Sequence, residues 1–112
     1  IAEKVQAMVV LGLANSRLKD YFDVWQILRR FEVDSTLLQA SLQATFARRG
    51  TPLPKELPIG LSPVFARDRA KQAQWKAFLT RIGWSEEADL ETVVSDLRER
   101  LGSLVTAHEH DQ

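Results

Sequence analysis

The sequence predicts an all-α fold, a five-helix bundle with a proline-rich strap between helices three and four. Three observations support it. Apolar residues recur at helical spacing along five segments, and no segment sustains the alternation of a strand. All four prolines, Pro52, Pro54, Pro58 and Pro63, fall within one stretch, "TPLPKELPIGLSPVFARD", which no long helix can contain.

Residues 2 to 12 read as the first helix, closed by Gly12. Residues 16 to 31 read as the second, with Ser16 as its N-cap. Asp34 or Ser35 caps a third, which runs to Arg49 and stops at Gly50. Arg48 and Arg49 fall in its last turn, where cations suit the helix dipole. The strap carries Leu53, Leu57, Ile59, Leu61, Val64 and Phe65, too apolar for a free linker, and is expected to lie extended across the bundle. Asp68 caps a fourth helix bearing Trp75, Phe78, Leu79 and Ile82, followed by Gly83. Trp84 is placed to plug the bundle end. Asp89 caps a fifth with Leu90, Val93, Val94, Leu97, Leu101 and Leu104 at helical spacing. Residues 1 to 107 form one helical domain. Residues 108 to 112 read as a disordered polar tail rather than a metal site, although His108 and His110 stand beside acids.

The 112 residues suit one domain. Fifteen cationic side chains balance fifteen acidic ones. That balance argues against a module that binds polyanions by bulk charge and leaves a local anion site open. No cysteine is present, so disulfides, thiolate metal sites and cysteine nucleophiles are excluded, in keeping with a cytoplasmic protein. No apolar run approaches the roughly 18 to 20 residues of a membrane span. No Ser-His-Asp arrangement or glycine-rich phosphate loop is visible. The chain opens at Ile1 directly in helical pattern, so it is expected to be a fragment with an N-terminal part missing.

The second helix, in "LANSRLKDYFDVWQILRRF" (residues 13 to 31), has an unusually narrow polar side. Lys19, Asp23, Gln26 and Arg30 fall within about 60° of one another on a helical wheel, with Asp20 at the edge of the stripe and apolar or aromatic residues around most of the rest. On the first helix Lys4 points out of the apolar side, where it must snorkel, shift its pKa or find an anion. The short turn between these helices suggests antiparallel packing, with Lys4 nearer the end of the second helix. One reading of the stripe is a solvated face with a weak Lys19–Asp23 pair. The other is a charged slit that receives a polar ligand, with Lys4, Lys19, Asp20 and Asp23 on one shared surface.

At these residues the chain resembles the C-terminal helical half of the AbiEii/AbiGii nucleotidyltransferase toxin family. The resemblance lies in Glu3-Lys4, in the box Lys19-Asp20-Tyr21-Phe22-Asp23, and downstream in "ATFARRGTPLP" and "KQAQWKAFL", over roughly residues 1 to 82. It implies a bacterial toxin–antitoxin or abortive-infection enzyme that transfers a nucleotide from an NTP, with GTP favoured, to an acceptor such as RNA. By carry-over, Lys4, Lys19 and Asp23 form the nucleotide-binding set. Lys4 and Lys19 would contact phosphate oxygens, and Asp23 would hold the lysines. Asp20, with Lys19, would be catalytic, either orienting partners or acting as a general base. Mg2+ is expected in the full-length enzyme, held by an N-terminal half whose Gly-Ser motif and Asp-x-Asp pair are not found here. The implied partners are that half, the NTP, an RNA acceptor and a cognate antitoxin. No metal ligands are assigned within this chain, which is expected to be inactive alone. A removed half would leave an apolar patch near the first two helices, which a homodimer could cover. The competing reading is a non-catalytic helical protein–protein interaction module. A helix-turn-helix DNA binder is disfavoured by the neutral charge and the lack of a basic recognition helix.

Overall fold

The computed structural model describes residues 1–107, among which there is no strand. The helices are α1 (Ala2–Leu11), α2 (Leu18–Arg30), α3 (Ser35–Arg48), α4 (Pro63–Arg67), α5 (Arg69–Ile82) and α6 (Leu90–Val105), so the all-α class holds. The tail with His108 and His110 lies outside the described residues.

Local chemistry sets most boundaries where the sequence places them. Gly12 ends α1 at φ +51°, a conformation that glycine adopts without a Cβ penalty. Asp34 caps α3 by accepting from the backbone N–H groups of Thr36 and Leu37 at 2.8 and 3.1 Å, an arrangement worth about 1 kcal/mol. Asp68 and Asp89 cap α5 and α6 in the same way. At α2 the expectation fails. Ser16 does not cap it. Asn15 instead accepts from the backbone N–H of Arg17 at 2.7 Å, and the helix starts at Leu18. Phe31 falls beyond the last turn, in extended backbone, and is 64% exposed rather than part of the apolar face.

The strap is not extended throughout. A 3₁₀ turn at Ile59–Leu61 leads into the short helix α4, with Pro63 at a first-turn position that has no use for its missing N–H. The bundle therefore has a sixth, one-turn helix beside the five long ones. Leu61 and Phe65 reach the core and Leu53 is half-buried, whereas Leu57, Ile59 and Val64 stay exposed.

Helix α6 is central, packed against α2, α3 and α4, and its Val93, Val94, Leu97 and Leu101 are fully buried. Helix α1 packs mainly on α3 and the 3₁₀ turn of the strap, and only lightly on α2. The expected antiparallel pairing is therefore corrected, because Lys4 meets the first half of α2 rather than its end. The link supplies the reason. A 3₁₀ turn at Gly12–Ala14 followed by extended Asn15 gives the chain enough length to return along α1, about 10 Å from Lys4 to Leu11. At one end Phe22, Trp25, Trp75, Phe78 and Trp84 form an aromatic cluster. Trp84 closes it edge-on to Phe22 at 5.0 Å. The Trp75 indole donates to the Ala88 carbonyl at 2.6 Å, which accounts for a buried polar N–H.

Tyr21 locks the strap to this frame. Its fully buried hydroxyl donates to the Gly60 carbonyl at 2.8 Å, and its ring stacks on Phe65 at 4.8 Å. Burial pushes the phenol above the usual tyrosine range, Asn15 pulls it down by hydrogen bonding, and the Asp20 charge adds to the rise. The approach leaves no room for a side chain at position 60, where a Cβ would stand 2.3 Å from the Met8 carbonyl oxygen. Gly60→Ala is expected to destabilise the chain by about 1–3 kcal/mol, the usual cost of overpacking. Gly102→Ala meets only an ordinary contact, 3.7 Å from Leu57, inside α6. It is expected to stabilise by about 0.5–1 kcal/mol. Urea denaturation of both variants reads the two signs, and a neutral Gly60→Ala would mean that the strap does not dock this closely.

Candidate functional site

The structure brings all four sequence-predicted site residues together. The Lys4 ammonium lies 2.7 Å from Oδ1 of Asp20 and 3.4 Å from Oδ2 of Asp23. Lys19, one turn before Asp23, reaches the same Oδ2 at 2.6 Å. A fifth residue completes the cluster, with Nε of Arg17 2.9 Å from Oδ2 of Asp20. Helix α2 presents Lys19, Asp20 and Asp23 within one turn, and the returning link sets the start of α1 beside them.

Burial within the cluster is uneven. Asp20 is 5% exposed, so it belongs to the interior rather than to the edge of a wet stripe. The helical wheel could not show this, because the covering group comes from α1. Gln26, placed on the same stripe, has both side-chain polar atoms buried without a hydrogen-bond partner among the described residues. By contrast the Lys19 and Arg17 side chains are 71% and 59% exposed. The cluster thus has an anionic floor and a cationic rim.

A buried carboxylate is costly unless charged donors satisfy it. Lys4 gives Oδ1 a charge-assisted hydrogen bond. Arg17 stands close to Oδ2, but its N–H is not directed well enough to make a hydrogen bond there. The hydrogen bond to Asp20 pushes the Lys4 ammonium above the usual lysine range against a smaller desolvation effect, and the Asp20 and Asp23 charges add to the rise.

Beside the cluster an open groove of about 610 Å³ runs between the start of α2 and the end of α5. Arg17, Lys19, Phe22 and Asp23 line it from the α2 side, and Phe78 and Arg81 from α5. Lys4 is not among the lining residues. Sequence reasoning missed Arg17 and Arg81. Arg17 had a signal in its i,i+3 spacing to Asp20. Arg81 had none, because only the tertiary fold brings α5 to α2. The C-terminal pair Arg48 and Arg49 is tied to α1 instead. Arg49 donates to Gln6 at 2.9 Å, and Glu3 lies 3.4 Å from Arg49 and 4.0 Å from Arg48.

Among the described residues no three His, Asp or Glu side chains gather as a metal site. Asp20 and Asp23 carry cationic partners, so their oxygens are arranged for ammonium and guanidinium groups, and the donor set does not fit a resident Mg2+. The chain's one Gly-Ser dipeptide, Gly102-Ser103, lies inside α6 and forms no phosphate loop. No helix among the described residues is long and apolar enough to cross a membrane.

Removing Lys4 leaves a buried carboxylate with one imperfectly aligned cation. Lys4→Met is expected to destabilise the chain by about 1–3 kcal/mol. It should also change the alkaline limb. The Lys4 pKa is raised in the folded state, so its contribution is fully present below the unfolded value of about 10.4 and is lost as pH rises through the folded value. Tyr21, also raised, acts in the same direction above about pH 10. Stability measured by denaturant titration should fall above about pH 10 in the native chain, less steeply in Lys4→Met, and least in Lys4→Met combined with Tyr21→Phe.

A model of the nucleotidyl transferase AbiEii toxin family, of type IV toxin–antitoxin systems, matches residues 1–100. The match extends past residue 82, where the sequence resemblance stops, and takes in most of α6. No curated protein and no solved structure matches the chain. The chain belongs to the AbiEii nucleotidyltransferase toxin family.

Proposed function

We propose that this helical domain is the substrate-binding half of a nucleotidyltransferase that moves a nucleotide from an NTP, GTP by family resemblance, to an acceptor such as RNA. The observation that carries the reading is the cluster itself, a buried carboxylate held by Lys4 at 2.7 Å with exposed cations around it. Lys19 contacts phosphate oxygens as a point charge, while Lys4, which lies outside the groove, holds Asp20 and Asp23 in place. Asp20 orients the acceptor or takes the proton of its hydroxyl. The hydroxyl oxygen forms a bond to the α-phosphorus, the bond from that phosphorus to the bridging oxygen breaks, and pyrophosphate leaves with its electron pair. Such chemistry depends mainly on positioning and charge stabilisation, which fixed cations provide. A divalent metal, if held by the metal-binding half, would supply charge neutralisation at the leaving group, and no residue of this chain is assigned to hold it. The reading includes a cytoplasmic location and a cognate antitoxin as partner, as the family implies.

A docking face fits the same reading. Val10, Leu11, Leu13 and Ile59 are 37–55% exposed around the link between α1 and α2. They could seat the metal-binding half or a second copy. The interaction-module reading would use the same residues and leave the cluster without a task.

The test compares labelled nucleotide incorporation by the complete enzyme, metal-binding half included, with that of its Asp20→Asn variant. The expected loss is about 10²–10⁴-fold, the range for a general base. The amide keeps the carboxylate's shape, so circular dichroism and melting should show a folded variant. Full activity in a folded Asp20→Asn enzyme would favour the interaction module.

A further inference from the structure

Asp20 is held by two cations of different character. Lys4 binds Oδ1 from α1 and does not line the groove. Arg17 lies against Oδ2, is more than half exposed, and does line the groove. Its backbone is fixed, since its N–H donates to Asn15 at 2.7 Å, and the Asn15 carbonyl in turn accepts from the buried Lys71 ammonium. The side chain is not fixed in this way. Its Nε reaches Oδ2 at 2.9 Å without a well-directed hydrogen bond, and Oδ2 has no exposed surface. A guanidinium prefers bidentate, in-plane contact with an oxyanion, which this arrangement does not provide.

We propose that Arg17 is a ligand-operated latch on Asp20. In the free chain its guanidinium covers Oδ2. An anionic phosphate group entering the groove between Arg17, Lys19 and Arg81 draws that guanidinium onto itself. Asp20 stays anchored through Oδ1 by Lys4, while Oδ2 is left free to accept a hydrogen bond or a proton. The occupant is a phosphate or pyrophosphate group, because Arg17, Lys19 and Arg81 line the groove against one carboxylate, Asp23, which Lys4 also neutralises from outside it. Arg17 is thus a positioning residue that couples ligand arrival to exposure of the carboxylate. This rests on the role proposed for Asp20, but the latch movement has a readout independent of transfer.

The test uses the isotopically labelled chain and inorganic pyrophosphate as the probe. Nuclear magnetic resonance follows the Nε–H groups of Arg17 and Arg81 and the Asp20 carboxyl carbon. Pyrophosphate should shift all three, the carboxyl carbon because Oδ2 loses its cation. Arg17→Gln should weaken pyrophosphate binding by about tenfold, as expected for loss of a hydrogen bond to a charged group. Asp20→Asn should tighten it several-fold, because Arg17 no longer has to leave a carboxylate. Loss of the Asp20 charge favours any nearby anion, so the latch requires that the gain vanish when Asp20→Asn is combined with Arg17→Gln. A gain that persists in the double variant would overturn it. Movement of the Arg81 signal with Arg17 and Asp20 unmoved would overturn the latch. So would the absence of any shift at millimolar pyrophosphate, or unchanged affinity in a folded Asp20→Asn chain. The role of Asp20 in transfer is judged separately by the incorporation assay. Tightened pyrophosphate binding beside full transfer activity would keep the latch movement and remove its catalytic purpose.

Discussion

The architecture around the site depends on one constraint, that the Asp20 carboxylate is buried. A carboxylate removed from water is tolerated only where cations and donors replace its hydration. That requirement brings α1 to the start of α2 through Lys4, and it gives the irregular link at residues 12–17 a definite course. The link must be long enough to return, and its bend also places Arg17 beside the second oxygen. Asn15 supplies the bend, being fully buried and capping the backbone N–H of Arg17. Lys71 of α5 then closes on the Asn15 carbonyl, so a third helix helps to position the first turn of α2.

The next residue along α2 works in the opposite direction. Asp20 faces α1, while Tyr21 inserts into the core and holds the strap by its hydroxyl and its ring. Neighbouring residues on one helical turn therefore tie the candidate site to the strap. Displacement of the strap would disturb Tyr21 and, through it, the orientation of Asp20. This coupling gives Gly60 its importance, since the hydrogen bond forms only if the strap backbone comes within contact of the Met8 carbonyl.

The sequence was informative where structure is local. The caps at Asp34, Asp68 and Asp89, the stops at Gly12 and Gly83, and the five long helices all follow from short-range rules of capping and periodicity. The oddities of Lys4 and of the narrow stripe were also visible, because a wheel exposes a charge on the wrong side. The hidden features were tertiary. The burial of Asp20 depends on a helix that a wheel of α2 omits, and the groove depends on α5 reaching α2. The conversion of part of the strap into a 3₁₀ turn and α4 depends on the docking of Leu61 and Phe65. Proline density argues against a long helix and says little about a single turn that begins at Pro63.

The distribution of charge bears on whether the cluster is only a brace between α1 and α2. A brace needs one cation for one buried carboxylate, and Lys4 at 2.7 Å supplies it. Yet Arg17 is added to Asp20 and Lys19 to Asp23, each on a side chain that is mostly exposed. Exposed ion pairs contribute little to stability, typically about 0–1 kcal/mol. The extra cations are therefore poorly explained as supports. In the proposed reading they keep the two carboxylates neutralised while remaining able to move to another anion. In a chain with no net charge, three cations against two carboxylates leave a local positive excess beside an apolar groove. Such a site attracts one small anionic group at a defined place rather than a polyanion along a surface. The nucleotide-transfer role proposed for this domain would require that property.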